Sequence, residues 1–175
     1  MFDPRDSRTI GHHLFLEPTG TLGQELQAAI TDLAKRYDGP IFAPHVTLLA
    51  RIEDEDPREK VKELASSLTP FTLTLGTLDG EDEYFRAFYI HIEHTDALKA
   101  AHQAALATFS MEDARPYMAH LSLFYGNIDN VLRTKLMEGT VYPAGTSWQV
   151  DSLSLYETAG NAEAWRKVGE YPFGS

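Results

Sequence analysis

His45 and Thr47 stand two residues apart in "PHVTLLA" (44–50), and His120 and Ser122 repeat that spacing in "AHLSLFY" (119–125), 75 positions further on. A strand turns alternate side chains to opposite faces. Each imidazole therefore shares a face with its hydroxyl, while Val46, Leu48, Leu121 and Leu123 point the other way. An imidazole titrates near neutral pH, with an ordinary pKa of about 6.5. Two of them on one substrate can divide the work, one taking a proton from an attacking water and the other giving one to a leaving oxygen. Each such transfer is worth about 10²–10⁴ in rate. The neighbouring hydroxyls can hydrogen-bond the non-bridging oxygens of a phosphoryl group, whose charge must be held in the transition state. The set suits in-line displacement at a phosphodiester and requires neither a metal nor another cofactor. One H-x-T is too short to carry such a claim; the second copy in matching surroundings carries it.

Both motifs must be positioned by similar elements. "HHLFLEP" (12–18) alternates and reads as a strand. A helix follows, with Leu22, Leu26, Ile30 and Leu33 as its apolar stripe, Thr19 or Thr21 as cap and Gly39-Pro40 as stop. "FAPHVTLLARI" (42–52) is the first motif strand. The next helix should start with Asp56 as cap, Pro57 in the first helical position and Glu59 three residues after the cap. Strands "FTLTLGTLDG" and "YFRAFYIHIE" come next, then a helix with Leu98, Ala101, Ala105 and Leu106 inward. The second motif strand, a shorter helix over "IDNVLRTKLMEG" and two closing strands complete the chain. Helix, His-x-(Thr/Ser) strand, helix and further strand thus occur twice. Two lobes packed about a pseudo-two-fold axis would bring both polar strand faces to one cleft.

The chain has 175 residues, 43 % of them apolar, which suits a single domain of two packed lobes spanning 1–175. Its net charge is −11, from 26 acidic and 15 basic residues. Long nucleic acid draws on clustered Lys and Arg, and no such cluster occurs, so a long RNA or DNA partner is disfavoured. A self-repelling acidic surface favours a soluble monomer. With no cysteine, disulfides and thiolate metal sites are excluded. No stretch approaches the roughly 20 apolar residues that span a bilayer, and the first ten residues lack a signal-like apolar core. A cytoplasmic protein without a membrane partner is expected.

With both motifs in hand, the chain resembles the two-histidine (2H) phosphoesterase superfamily, in which two H-x-(S/T)-x elements occur; here they are His45-Val46-Thr47-Leu48 and His120-Leu121-Ser122-Leu123. It is most similar to the cyclic phosphodiesterase branch of plants and fungi, through "FAPHVTLLA", "AHLSLFYG" with Tyr125-Gly126, and the closing Thr158, Gly160, Trp165 and Val168. The resemblance implies an α+β, bilobal, pseudo-two-fold fold, with antiparallel sheets lining a central cleft and helices outside. It implies metal-independent opening of small cyclic phosphates: ADP-ribose 1″,2″-cyclic phosphate to the 1″-phosphate, and nucleoside 2′,3′-cyclic phosphates to 2′-phosphates. The roles it carries over are His45 and His120 as catalytic residues, and Thr47, Ser122 and Tyr125 as substrate contacts. His120 is taken as base and His45 as acid, although two coupled histidines can titrate as a pair. "GHHLFLEP" lacks the branch's first-strand Trp, so the wall that stacks on a nucleobase is not specified. The rivals are an RNA-end 2′,3′-cyclic phosphodiesterase of 2′,5′-ligase type and a non-catalytic nucleotide-binding module.

Other residues invite a reading. Arg51 and Arg115 flank the two motif strands and could meet a phosphate or simply face solvent. His12, His13, His91 and His94 raise the question of a metal, but an imidazole-only site needs three converging rings. Tyr84, Phe85, Phe88 and Tyr89, with Trp148 and Trp165, suit either core packing or base stacking. "EDEDPREKVKE" (53–63) reads as a solvated helix face.

Overall fold

The computed structural model describes residues 3 and 5–174. In chain order the elements are β1 (Arg8–Thr9), β2 (His12–Leu16), α1 (Gly20–Tyr37), β3 (Val46–Ile52), α2 (Arg58–Ser67), β4 (Phe71–Asp79) and β5 (Phe88–Ile92). Then come α3 (Asp96–Phe109), β6 (His120–Phe124), α4 (Asn130–Gly139), β7 (Ser147–Val150), β8 (Ser152–Glu157), β9 (Gly160–Asn161) and β10 (Arg166–Pro172). β1 pairs only with β9. The other strands form one sheet in the order β10-β8-β2-β3-β6-β5-β4-β7.

That order is symmetric about its middle. Each half sheet comes from one strand–helix–strand–helix run, β2-α1-β3-α2 or β5-α3-β6-α4, completed by two further antiparallel strands. The halves join where β3 meets β6, through the single paired position Val46 opposite Leu121. The helices lock this thin seam by crossing it: α1 packs against β6 and α3 against β3. Leu14, Leu16, Val46, Leu48, Leu121 and Leu123 face them and are fully buried. Each such side chain contributes about 1.5–3 kcal/mol. The expected bilobal α+β architecture, helices outside and polar strand faces inside, is therefore the one observed.

The helix stripes follow the expected spacing, with Leu26, Ile30 and Leu33 buried on α1, and Leu98, Ala101, Ala105 and Leu106 on α3. α1 stops at Asp38, which adopts φ 53°, and the Gly39 N–H closes on the Ala34 carbonyl at 3.0 Å. A Cβ on Gly39 would come within 2.4 Å of the Phe124 ring, so glycine lets this turn seat on β6.

The elements differ from expectation in four places. Thr19 holds the cap position of α1 without a side-chain bond. α2 begins one residue later than expected: Pro57 is the capping residue, and the Asp56 carboxylate accepts from Arg58 at 2.8 Å instead of capping the turn. The first motif strand starts at Val46 because Pro40 and Pro44 have no N–H to give a ladder. Phe85 lies in a 3-10 turn, Tyr84–Arg86, and not on β5.

Candidate active site

The seam register decides the geometry. Val46 is opposite Leu121 in an antiparallel pair, so one step either way sets Thr47 beside His120 and His45 beside Ser122. All four lie on the sheet face that the helices leave uncovered. The imidazoles occupy diagonal positions, a relationship that spaces residues by roughly 7–8 Å. They stand side by side on adjacent strands of one sheet, not across a gap between two sheets.

Both rings are held in the same way. His45 Nδ1 lies 2.6 Å from the Ala43 carbonyl, and His120 Nδ1 lies 3.0 Å from the Met118 carbonyl. A carbonyl only accepts, so each Nδ1 carries a proton and each neutral ring keeps its lone pair on Nε2. Burial drives the pKa of His45 down to about 4, partly opposed by the Ala43 carbonyl and the Glu17 carboxylate. Burial also brings His120 to about 4, against the pull of the Met118 carbonyl and with repulsion from Arg86, His45 and His91. Glu17 is itself fixed by Ser154 at 2.5 Å, Tyr156 at 2.6 Å and Lys167 at 2.5 Å.

A cavity of about 660 Å³ opens over this face, and Thr47, His120 and Tyr125 line it together with Phe85 and Arg86. His45 is nearly sealed: its ring stacks on Phe15 with centroids 3.7 Å apart, and Trp165 meets it edge-on at 6.2 Å. Its Nε2 touches the cavity wall through the Tyr125 hydroxyl, 3.4 Å away, and its other flank borders a second hollow of about 600 Å³. Ser122 is set back: its hydroxyl donates to the Phe85 carbonyl at 3.1 Å, which fixes the 3-10 turn. Another groove, of about 900 Å³, runs along α1 and holds neither motif histidine.

The two arginines part company. Arg115 makes a two-pronged ion pair with Glu83, at 2.8 and 3.0 Å, and this contact holds Glu83 below the usual carboxylate range. Arg51 lines the cavity and adopts φ 60°, a backbone region that costs a non-glycine residue about 1–3 kcal/mol. Among the remaining histidines, His91 meets Asp79 at 2.9 Å and His94 accepts the Ala119 N–H at 3.1 Å. Of the aromatics, Phe88 and Tyr89 are buried in β5 and Trp148 is buried at the sheet edge. Phe85 and Trp165 stack on each other, with centroids 5.7 Å apart, beside the histidines.

Sequence reasoning passed over Phe15, Arg86 and the cavity-lining His102. Phe15 alternates with Leu14 and Leu16 on β2, a visible signal, but only the pairing of β2 with β3 puts it under His45.

A model of the 2'-5' RNA ligase superfamily matches residues 22–162. A cyclic phosphodiesterase of Arabidopsis thaliana is 24 % identical over 146 residues, covering 78 % of this chain and 80 % of that one. Apo LigT of E. coli superposes with a TM-score of 0.62 at 17 % identity, covering 97 % of this chain and all (100 %) of that one. The same protein complexed with 3'-AMP gives a TM-score of 0.59 at 14 % identity, with the same coverage of 97 % and 100 %.

Proposed function

The chain belongs to the 2'-5' RNA ligase superfamily of two-histidine phosphoesterases, and from that premise we propose that it is a cyclic phosphodiesterase acting on small cyclic phosphates. The substrates are nucleoside 2′,3′-cyclic phosphates and ADP-ribose 1″,2″-cyclic phosphate, opened to a phosphomonoester. The observation that carries this reading is the matched anchoring of His45 and His120, which leaves two Nε2 lone pairs on one sheet face, a diagonal step apart. The match to the plant cyclic phosphodiesterase and the nucleotide complex of the E. coli fold relative support it.

In this mechanism the cyclic phosphate sits between the rings, with Thr47 Oγ–H donating to a non-bridging oxygen. Water attacks phosphorus in line. His120 Nε2 takes the water's proton as the new P–O bond forms. The P–O bond to the sugar breaks, and His45, protonated on Nε2, gives its proton to the departing oxygen. A bound phosphate monoanion raises the proton affinity of His45, which burial alone holds low. The Tyr125 hydroxyl gives up its long bond to His45 and turns to the substrate.

The test is hydrolysis of ADP-ribose 1″,2″-cyclic phosphate and the four nucleoside 2′,3′-cyclic phosphates in the presence of a strong chelator, with each product isomer identified. Ring opening to one monoester is expected. Folded protein that opens none of them, or that works only with added metal, overturns the reading.

A further inference from the structure

Two more imidazoles line the cavity, His13 and His102. His102 is fully engaged: Nδ1 faces the Leu48 carbonyl at 2.7 Å and Nε2 faces the Asp113 carboxylate at 2.9 Å. His13 is different. It is buried on β2, and its Nδ1 is hydrogen-bonded to the Thr158 hydroxyl. That hydroxyl donates its one proton to the Gly11 carbonyl at 3.0 Å, so towards His13 it can only accept. His13 therefore carries its proton on Nδ1 and offers a lone pair at Nε2. Among the described residues no donor reaches that lone pair, and the atom is not sealed in the interior. Burial, with repulsion from His45, Arg51 and His12, lowers the pKa of the ring to about 3, so it stays neutral wherever the enzyme is folded near neutral pH.

A neutral imidazole that only accepts cannot serve as a phosphate site. It needs an O–H or N–H from the ligand. In a nucleoside 2′,3′-cyclic phosphate the 2′ and 3′ oxygens are both tied into the phosphate ring. The remaining sugar donor is the 5′-hydroxyl, on the far side of the furanose. His13 stands one aromatic ring away from His45: Phe15 lies between them, with centroids 3.7 Å from His45 and 5.8 Å from His13. On the cyclic phosphodiesterase reading above, we infer that His13 is a specificity-determining residue whose Nε2 accepts a hydrogen bond from the free 5′-hydroxyl of a nucleoside 2′,3′-cyclic phosphate. An RNA end, whose 5′-oxygen is esterified, offers no such donor, and neither does ADP-ribose 1″,2″-cyclic phosphate, whose 5″-oxygen is bonded to the diphosphate; of the substrates above, the cavity therefore favours the mononucleosides.

The experiment compares adenosine 2′,3′-cyclic phosphate with its 5′-deoxy analogue in the wild type, His13→Phe and Thr158→Val. Phe keeps a ring against Trp165, which stacks on His13 at 6.0 Å, but removes the acceptor. Val at 158 keeps the imidazole and releases its proton to either nitrogen. The wild type should prefer the 5′-hydroxyl substrate by at least about tenfold in kcat/KM. In His13→Phe that preference should fall to within about twofold, and in Thr158→Val it should fall only part of the way, because some rings still keep Nε2 unprotonated. An unchanged preference in a folded His13→Phe protein, a wild type without preference, or one that follows the adenine amine instead overturns the inference. Binding of adenosine 2′-phosphate and its 5′-deoxy counterpart is measured alongside. Hydrolysis of neither substrate with the binding preference intact overturns the proposed activity but supports His13; binding of neither overturns both.

Discussion

His45 and His120 are anchored by one repeated bond, from ring Nδ1–H to the carbonyl two residues upstream, Ala43 in one half and Met118 in the other. The bond fixes the tautomer, and the seam register fixes the ring positions, so the repeat in the sequence is a repeat of proton placement. Neither ring depends on a carboxylate partner for this. Backbone alone sets which nitrogen faces the substrate.

Replacing either histidine should therefore remove a proton-transfer step without disturbing the sheet. His45→Ala and His120→Ala should each lower kcat by about 10²–10⁴. The double variant should lose little more than the worse single one, because the two act as a unit. Steady-state hydrolysis of a nucleoside 2′,3′-cyclic phosphate measures this. Near-wild-type turnover in both single variants would remove the acid–base assignment.

The two hydroxyls of the motifs are not equivalent. Thr47 lines the cavity, whereas Ser122 donates to the Phe85 carbonyl. Thr47→Val should lower kcat/KM by about 10²–10³, the cost of a lost oxyanion donor. Ser122→Ala should instead lower stability by about 1 kcal/mol by leaving the part-buried Phe85 carbonyl without this donor, with a smaller kinetic effect. Urea unfolding and kinetics on both variants separate the two cases. Equal kinetic losses with unchanged stability in Ser122→Ala would place its hydroxyl on the substrate after all.

Why this asymmetry escapes the sequence is instructive. Period-two alternation correctly puts His45 with Thr47 and His120 with Ser122, because that is local geometry. It cannot show that Phe85 turns back in a 3-10 turn to claim the Ser122 hydroxyl, or that Glu83 claims Arg115. Those contacts join segments more than 30 residues apart, at 85 to 122 and 83 to 115. The strand order is similarly hidden: β8 and β10 close the chain yet complete the half sheet that β2 and β3 begin. Long-range pairing, not periodicity, decides such neighbours.

Acid should destabilise the protein well before its carboxylates titrate. Above pH 6.5, His13, His45 and His120 are neutral in both the folded and the unfolded chain. Below it the unfolded chain takes up protons, while His45 and His120 refuse them down to about 4 and His13 down to about 3. Stability is therefore present above the unfolded value and is lost as pH falls from there towards 4. Each buried ring contributes up to about 1.4 kcal/mol per pH unit. Urea unfolding at pH 7 and pH 5 should show a lower midpoint at pH 5. Equal midpoints would mean that the rings are solvated in the folded state.

The cavity rim depends on a strap made by His102. Its two nitrogens face Leu48 and Asp113, its ring stacks on Tyr117 with centroids 3.8 Å apart, and the Tyr117 hydroxyl donates to the Thr47 carbonyl at 2.9 Å. Together these contacts tie the 111–117 segment to the first motif strand, although none of them involves the reacting groups. Asp113 is partly exposed, so its loss should cost only about 1 kcal/mol of stability. The consequence for binding should be larger than that for chemistry. In Asp113→Ala, amide exchange across 111–117 should quicken and KM should rise several-fold, while kcat stays within about twofold. A fall in kcat with KM unchanged would instead make the strap part of the positioning of Thr47 during the displacement itself.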